Sequence, residues 1–307
     1  MIGILTFSSG LLCQKEVLGT SYNAKIGGLE VCITFPSLNN STGNNKVGYL
    51  NPLLPPNNAK NYRRGDEFLF WGCPLDAPDF NSVVQMITLE HNCPDDNVLE
   101  NAQLLYKNMR KWENDLFKYC YLCTKEYLAI NQNTTQGSLL DILSDGKHIP
   151  TSQPIRLTGH IRSRDSFATK DVISDAINFA SNEKDLFLEY QMLLSSYIAI
   201  QKNKKRQAII DGSAAVELCL VKVITEYCEK KYIEPKILLD KYRTLGDRFA
   251  LVKKIDKSLP TLNYDQLIIS PRNDVAHIRQ VDISINTIRK FISTVEKVLE
   301  HYHTSYY

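Results

Sequence analysis

Length, composition and charge narrow the class of protein before any motif is considered. The chain has 307 residues, 43% of them apolar, which is enough to fill the cores of two ordinary domains and argues against disorder. Its formal net charge of +2 gives no global attraction to a polyanion, so any contact with nucleic acid has to come from local clusters of basic residues.

Cysteine usage and hydropathy point to a cytoplasmic protein with no membrane partner. The eight cysteines lack the clustered spacing of a disulfide scaffold, so reduced thiols are expected. The sequence contains no apolar run of about eighteen residues, and no basic leader precedes the apolar residues that follow Gly3.

The first half of the chain predicts strands followed by one long helix. Residues 1–89 alternate between apolar and polar, most clearly at 29–35, 68–71 and 83–89. Residues 37–60 have the composition of a long exposed loop, which is either an ordinary insertion or a binding loop. From about residue 98 to residue 129 the apolar period becomes helical.

A CxxC pair, Cys120 and Cys123, falls on the apolar face of that helix. Cys and His are natural zinc ligands, so His91 and Cys93 would be able to complete a metal site. A lone CxxC on a buried face is more typical of two core thiols, and no second CxxC or βαβ pattern supports zinc or redox chemistry. Neither a metal nor a cofactor is therefore expected.

Amphipathic helices with short connections occupy the second half and predict a bundle of four or five helices. They are expected at about 186–200, 207–230 and 235–252, followed by a last helix capped by Asp282 or Ser284. The predicted fold class is thus α+β. A β-rich domain with a long helix spans residues 1–170, and an all-α bundle spans residues 171–307.

Two polar features stand out within this helical half. Glu217 lies on a largely apolar helix, where it is either an ordinary half-exposed residue or part of a site. A basic cluster precedes that helix, and it either contacts an RNA backbone or forms a charged helix junction in water. The cluster consists of Lys202, Lys204, Lys205 and Arg206.

Residues 270–277, Ser-Pro-Arg-Asn-Asp-Val-Ala-His, carry the strongest chemical signal. Ser is a preferred N-cap and Pro favours the first helical position, so a helix is predicted to begin at Pro271. Arg272 would lie in its first turn, where free N–H groups and the helix dipole favour phosphate. His277 follows about 7.5 Å along the axis, and Asn273 precedes it by four residues, close enough to orient the imidazole. These residue types suit phosphodiester chemistry.

This segment and the helices around it resemble the HEPN domain, a helical-bundle family that includes many metal-independent ribonucleases. Arg272, Asn273 and His277 match the family signature of Arg, a polar residue, a short variable stretch and His, and the resemblance covers about residues 185–303. It implies that Arg272 neutralises a phosphate, that His277 transfers protons and that Asn273 positions either of them, with Glu217 facing the active groove. The RNA contacts expected alongside them are Lys204, Lys205, Arg206 and Arg279.

The resemblance also implies a reaction and a mode of assembly. Members of the family form homodimers in which two motifs line one groove. Attack by the 2′-hydroxyl of RNA leaves a 2′,3′-cyclic phosphate and a 5′-hydroxyl, and DNA is resistant. The alternative is a non-catalytic HEPN module that dimerises or binds nucleotide while the first domain carries the recognition.

The residues after His277 and the domain layout indicate which kind of regulation the resemblance implies. Family toxins controlled by a companion nucleotidyltransferase carry Tyr two residues after the His, whereas this chain has Ile278-Arg279. The layout resembles abortive-infection and other antiviral defence ribonucleases, in which the first domain senses a trigger. A phage-derived trigger or an antitoxin is therefore the regulator to expect.

Overall fold

The structure is a computed structural model that describes residues 1–38, 50–51, 71–74, 81–94, 97–125, 139–144, 147–149, 167–277, 283–303 and 305–307. The chain forms two compact units, Met1–Lys184 and Asp185–Tyr307. Antiparallel strands dominate the first unit and helices the second, so the predicted α+β class is confirmed. No helix in this described part of the chain is long and apolar enough to cross a lipid bilayer.

An antiparallel sheet is the frame of the first unit. Its strands and those of a separate small pair are β1 (Ile2–Cys13), β2 (Ser21–Ile26), β3 (Leu29–Thr34), β4 (Ser37–Leu38), β5 (Leu50–Asn51), β6 (Gly72–Pro74), β7 (Ser82–Glu90), β8 (Leu139–Ser144) and β9 (Lys147–Ile149). Within the described ranges the main sheet has the order β2-β3-β7-β1-β8-β9, β6 also pairs with β7, and β4 pairs with β5. A register shift between Thr6 and Leu11 interrupts the pairing of β1 with β7.

The period-two alternation correctly located two of these strands. The strands predicted at 29–35 and 83–89 correspond to β3 and β7, and Val31, Ile33 and Phe35 are buried as the alternation requires. Residues 68–70 of the third predicted strand, and most of the predicted loop at 37–60, lie outside the described residues.

Two helices complete the first unit: α1 (Val98–Thr124) and α2 (Lys170–Ser181). The predicted apolar stripe ran from Leu105 to Tyr127; its residues up to Tyr119 are buried and Cys123 is half-buried, while Tyr127 lies outside the described residues and the helix ends at Thr124. Glu113 of the same helix accepts hydrogen bonds from the Ser8 backbone N–H at 2.6 Å and from the Ser8 hydroxyl at 2.8 Å, which ties α1 to β1. Because α2 packs on α1 and β2, this unit extends to Lys184, beyond the predicted boundary at residue 170.

The second unit is built around one long central helix. Its helices are α3 (Leu188–Gln201), α4 (Lys205–Lys230), α5 (Pro235–Lys241), α6 (Leu245–Ile255), α7 (Ser270–Ala276) and α8 (Ile285–Tyr302). The central helix α4 contacts all five of the others. Gly212 allows its close approach to α8, since a Cβ atom there would lie 2.6 Å from Cε1 of Phe291.

The helix predicted over 235–252 is two helices, so that prediction was wrong. Thr244 ends the continuity with a capping box: its hydroxyl accepts the Asp247 N–H at 3.1 Å, and the Asp247 carboxylate accepts the Thr244 N–H at 3.3 Å. The last helix begins as predicted after Ser284, whose hydroxyl accepts the Thr287 N–H at 3.0 Å.

Candidate functional site

The segment that carries Arg272 lies inside a helical run and not at its start. Ile269 and Ser270 both have right-handed helical dihedral angles, and the Ser270 side chain caps nothing. The run begins near Tyr264, preceded by Asn263, whose side-chain oxygen accepts the Gln266 N–H at 3.2 Å. The prediction that Ser270 is an N-cap and that the helix starts at Pro271 was therefore wrong.

A π-helical turn explains how Pro271 fits within this run. Proline has no N–H and its ring crowds the carbonyl four residues earlier, so an interior proline disrupts an α-helix. Here residues Asp265–Ile269 are π-helical, and the Ser270 N–H donates to the carbonyl of Asp265, five residues back. The free N–H groups of a helix start are thus not at Arg272, and phosphate binding there depends on the guanidinium itself.

Replacing Ser270 with alanine tests this correction. Because the hydroxyl of Ser270 caps nothing, we expect the free energy of unfolding to change by less than about 0.5 kcal/mol. If Ser270 were an N-cap, the same change would lower the free energy of unfolding by about 1 kcal/mol. Urea unfolding measures the difference, and a loss of the larger size would restore the predicted helix start.

Asn273 connects the two principal site residues. Residues five apart on an α-helix point about 140° away from each other, so Arg272 and His277 do not share a face by spacing alone. The Arg272 side chain nevertheless bends over Asn273, with Nη1 donating to the Asn273 side-chain oxygen at 3.2 Å. Asn273 is four residues before His277, and its carbonyl accepts the His277 N–H at 3.1 Å. The guanidinium is thereby held beside Asn273, a residue whose spacing of four places it near His277 on the helix surface.

His277 ends α7 with its side chain exposed to solvent. Within the described ranges its ring makes no hydrogen bond. Arg272 is half-buried and Asn273 is exposed. A half-buried guanidinium can bind an oxyanion, and an exposed imidazole can exchange a proton with one.

Two of the predicted RNA contacts bind the backbone on either side of residues 278–282. Arg206 Nη2 donates to the Val275 carbonyl at 2.7 Å, and Lys205 Nζ donates to the Ile283 carbonyl at 2.8 Å. Arg206 thus brings a second guanidinium to the end of α7 that carries His277. Lys204 is exposed just before α4, and Arg279 lies outside the described residues.

The structure pairs Glu217 with Arg248 of α6 by an ion pair and a hydrogen bond. Arg248 is only 15% exposed, so this carboxylate neutralises a largely buried cation. Among the described residues no hydrogen bond or ion pair joins Glu217 to Arg272 or His277. Nothing in the local sequence marks Arg248 as the partner of Glu217, because the two residues are far apart along the chain.

A structural role for Glu217 predicts a loss of stability without a loss of activity. Glu217→Ala should lower the free energy of unfolding by about 1 kcal/mol, because it leaves the Arg248 guanidinium without its counter-charge. Arg248→Ala should cost a similar amount, and the double variant should cost less than the sum of the two. Any catalytic activity of the chain should be unchanged in Glu217→Ala, and a rate loss at full stability would return Glu217 to the candidate catalytic residues.

Two of the residues considered for zinc have other surroundings. His91 Nδ1 is hydrogen-bonded to the Glu30 carbonyl at 2.7 Å, and burial raises the pKa of the Cys120 thiol. Across the described residues no group of three or more His, Cys, Asp or Glu side chains is arranged to hold a metal ion.

Arg272 thus binds the side chain of Asn273, the His277 N–H binds the Asn273 carbonyl, and Arg206 of the first turn of α4 binds the Val275 carbonyl near the end of α7. Two guanidinium groups and one imidazole at an exposed surface can bind a phosphodiester and move protons on it. Comparison with known proteins adds no assignment, since no protein-family model, no curated protein and no solved structure matches the chain.

Proposed function

We propose that the second unit is a metal-independent endoribonuclease of the HEPN type that works as a homodimer in the cytoplasm. The observation that carries the proposal is the Arg272 side chain bent over Asn273, on the turn before the exposed ring of His277. This arrangement offers a charged clamp and a proton-transfer group to the same ligand.

The chemistry of RNA cleavage matches these groups. The 2′-hydroxyl must lose a proton as its oxygen attacks the phosphorus, negative charge must be stabilised on the phosphorane, and the leaving 5′-oxygen must gain a proton. Arg272 stabilises the charge. Arg206 assists it, since a guanidinium has five N–H donors and the Val275 carbonyl takes one of those of Arg206.

Proton balance is the physical reason for a homodimer. One proton is taken from the 2′-hydroxyl and another is given to the 5′-oxygen, and each is best handled by a separate group in the required protonation state. One chain contributes one His277. Two copies of the motif facing one cleft supply a base and an acid, and the products are a 2′,3′-cyclic phosphate and a 5′-hydroxyl.

The first unit is proposed to control this activity. The layout, a sheet-bearing unit followed by a helical one, supports a role in antiviral defence or as a toxin. In such a role the first unit responds to a phage-derived trigger, or an antitoxin restrains the nuclease.

The decisive experiment is cleavage of a single-stranded RNA by the purified full chain in EDTA. We expect cyclic phosphate and 5′-hydroxyl ends, and no cut at a linkage whose 2′-hydroxyl has been replaced by hydrogen. Absence of cleavage, together with dimerisation or nucleotide binding, would instead support a non-catalytic HEPN module.

A further inference from the structure

The C-terminus of α4 carries an unusual residue in a standard helix-ending motif. The Ile233 N–H donates to the Cys228 carbonyl at 2.9 Å, and the Tyr232 N–H donates to the Glu229 carbonyl at 3.2 Å. This pair of bonds is the Schellman motif, in which the residue at the position of Tyr232 adopts a left-handed conformation and is usually glycine. Tyr232 has φ of 56°, which a residue with a Cβ atom adopts only at an energetic cost.

Among the described residues of its unit, no packing contact compensates for that cost. The Tyr232 side chain is 99% exposed, the highest value among the large apolar side chains of the described residues. A buried tyrosine would repay a strained backbone by packing, and a fully exposed one does not. An aromatic ring held in solvent by an unfavourable backbone points to a ligand that covers it.

The surroundings of Tyr232 indicate the chemistry of that ligand. Lys230 and Lys231 precede it and Lys236 follows on the first turn of α5; all three are exposed, and they form no ion pair within the described ranges. Residues 229–243 contain five cations and three carboxylates, so the local excess is positive. The cations are Lys230, Lys231, Lys236, Lys241 and Arg243, and the carboxylates are Glu229, Glu234 and Asp240.

We infer that Tyr232, Lys230, Lys231 and Lys236 form a binding site for single-stranded RNA. The tyrosine ring stacks on a base and the lysines contact the flanking phosphates, which is how proteins hold single strands without reading their sequence. The exposed Ile233 and Ile237 beside Tyr232 would also suit a protein partner, but lysine is depleted from the cores of protein interfaces, so the local excess of positive charge favours RNA. The inference rests on the proposed function in one respect: the ligand is the RNA that His277 cleaves.

The site lies well away from the scissile linkage. Arg206 and Lys230 are 24 residues apart on α4, which corresponds to about 36 Å at 1.5 Å per residue. A stacked strand covers that distance with about ten nucleotides. Tyr232 therefore binds RNA remote from the cut, and its contribution can be measured when cleavage is disabled.

Binding of a long, fluorescently labelled single-stranded RNA to full-length His277→Ala protein tests the inference. Adding Tyr232→Gly should weaken binding about tenfold, and adding Tyr232→Phe, which keeps the aromatic ring, should change it little. Tyr106→Ala, a change at a tyrosine that is 48% exposed in the first unit, is the matched control. Thermal unfolding excludes misfolding, because glycine suits the left-handed position and should keep or raise the melting temperature.

Each outcome separates this inference from the proposed function. Equal RNA binding with and without Tyr232→Gly, or no RNA binding at all, overturns the inference even if the wild-type protein cleaves RNA. Dissociation of a homodimer by Tyr232→Gly also overturns it, since Tyr232 would then belong to a protein interface. If the wild type cleaves no RNA but RNA binding depends on Tyr232, the binding site is supported and the proposed nuclease function is excluded.

Discussion

Replacing His277 with alanine is expected to reduce RNA cleavage by about 10²- to 10⁴-fold, the usual contribution of one general acid or base. The reduction should appear in kcat. Stability should not change, because the His277 ring is exposed and makes no hydrogen bond among the described residues. Cleavage rates in EDTA and urea unfolding of the same preparations measure the two quantities.

Matched variants on the same helical run make this result specific. Ser270→Ala removes an exposed side chain of α7 that caps nothing, so its cleavage rate should equal that of the wild type. Arg272→Lys keeps the charge but loses the planar fork that binds two phosphate oxygens, and we expect it to be strongly impaired. If His277→Ala cleaves RNA as fast as the wild type, the proposed nuclease is excluded.

Elements defined by local periodicity were predictable from the sequence. The alternation in β3, the stripe along α1 and the Ser284 cap of α8 each depend on residues that are close together in the chain. Burial follows directly from those patterns, because one face of each element must be removed from water. The assignment of strands and helices to the two halves follows from the same local information.

The predictions of helix boundaries were wrong where two local sequence patterns favoured different boundaries. Ser270 followed by Pro271 is a common helix start, yet the π-helical turn before the proline lets the run continue through it. The apolar stripe over residues 235–252 concealed a break, although the Thr244 and Asp247 capping box was readable in the sequence. In both places the sequence carries two local signals that favour different helix boundaries.

The contacts of the candidate site were less predictable than its residue types. The spacing of Arg272, Asn273 and His277 indicated their chemistry, but the bend of Arg272 over Asn273 is a side-chain conformation that spacing does not specify. The bond of Arg206 to the Val275 carbonyl joins residues from different helices. Such long-range pairs depend on how helices pack, and one sequence carries no signal for them.

A buried charged cluster at the end of α8 predicts how stability depends on pH. The Nε2 atom of His303 lies 2.7 Å from Oε1 of Glu189, and Lys222 Nζ lies 3.8 Å from the same oxygen. The His303 and Glu189 side chains are 6% and 8% exposed. The His303 ring also packs against the rings of Phe187 and Tyr190, with centroids 5.4 Å and 5.5 Å away.

Burial is the main cause that lowers the pKa of His303, and the Lys222 ammonium lowers it further, while Glu189 and Glu226 oppose both effects. Burial disfavours the charged imidazolium, and Glu189 already has Lys222 as a counter-charge at 3.8 Å, so its attraction for a second cation does not overcome burial. A lowered pKa means that the unfolded chain binds this proton more tightly than the folded one. The stabilising effect is therefore present above the unfolded pKa of about 6.5 and is lost as the pH falls below it.

The free energy of unfolding of the wild type should consequently fall between pH 7 and pH 5, with at most about 1.4 kcal/mol per pH unit due to His303. His303→Gln keeps a polar side chain of moderate size without a titrating group, and its curve should be flatter by that amount. Urea unfolding at a series of pH values gives both curves, and subtracting them cancels the other histidines. If the two curves run parallel, folding does not shift the pKa of His303, and if the wild type becomes relatively more stable toward pH 5, Glu189 outweighs burial there; either result contradicts a lowered pKa.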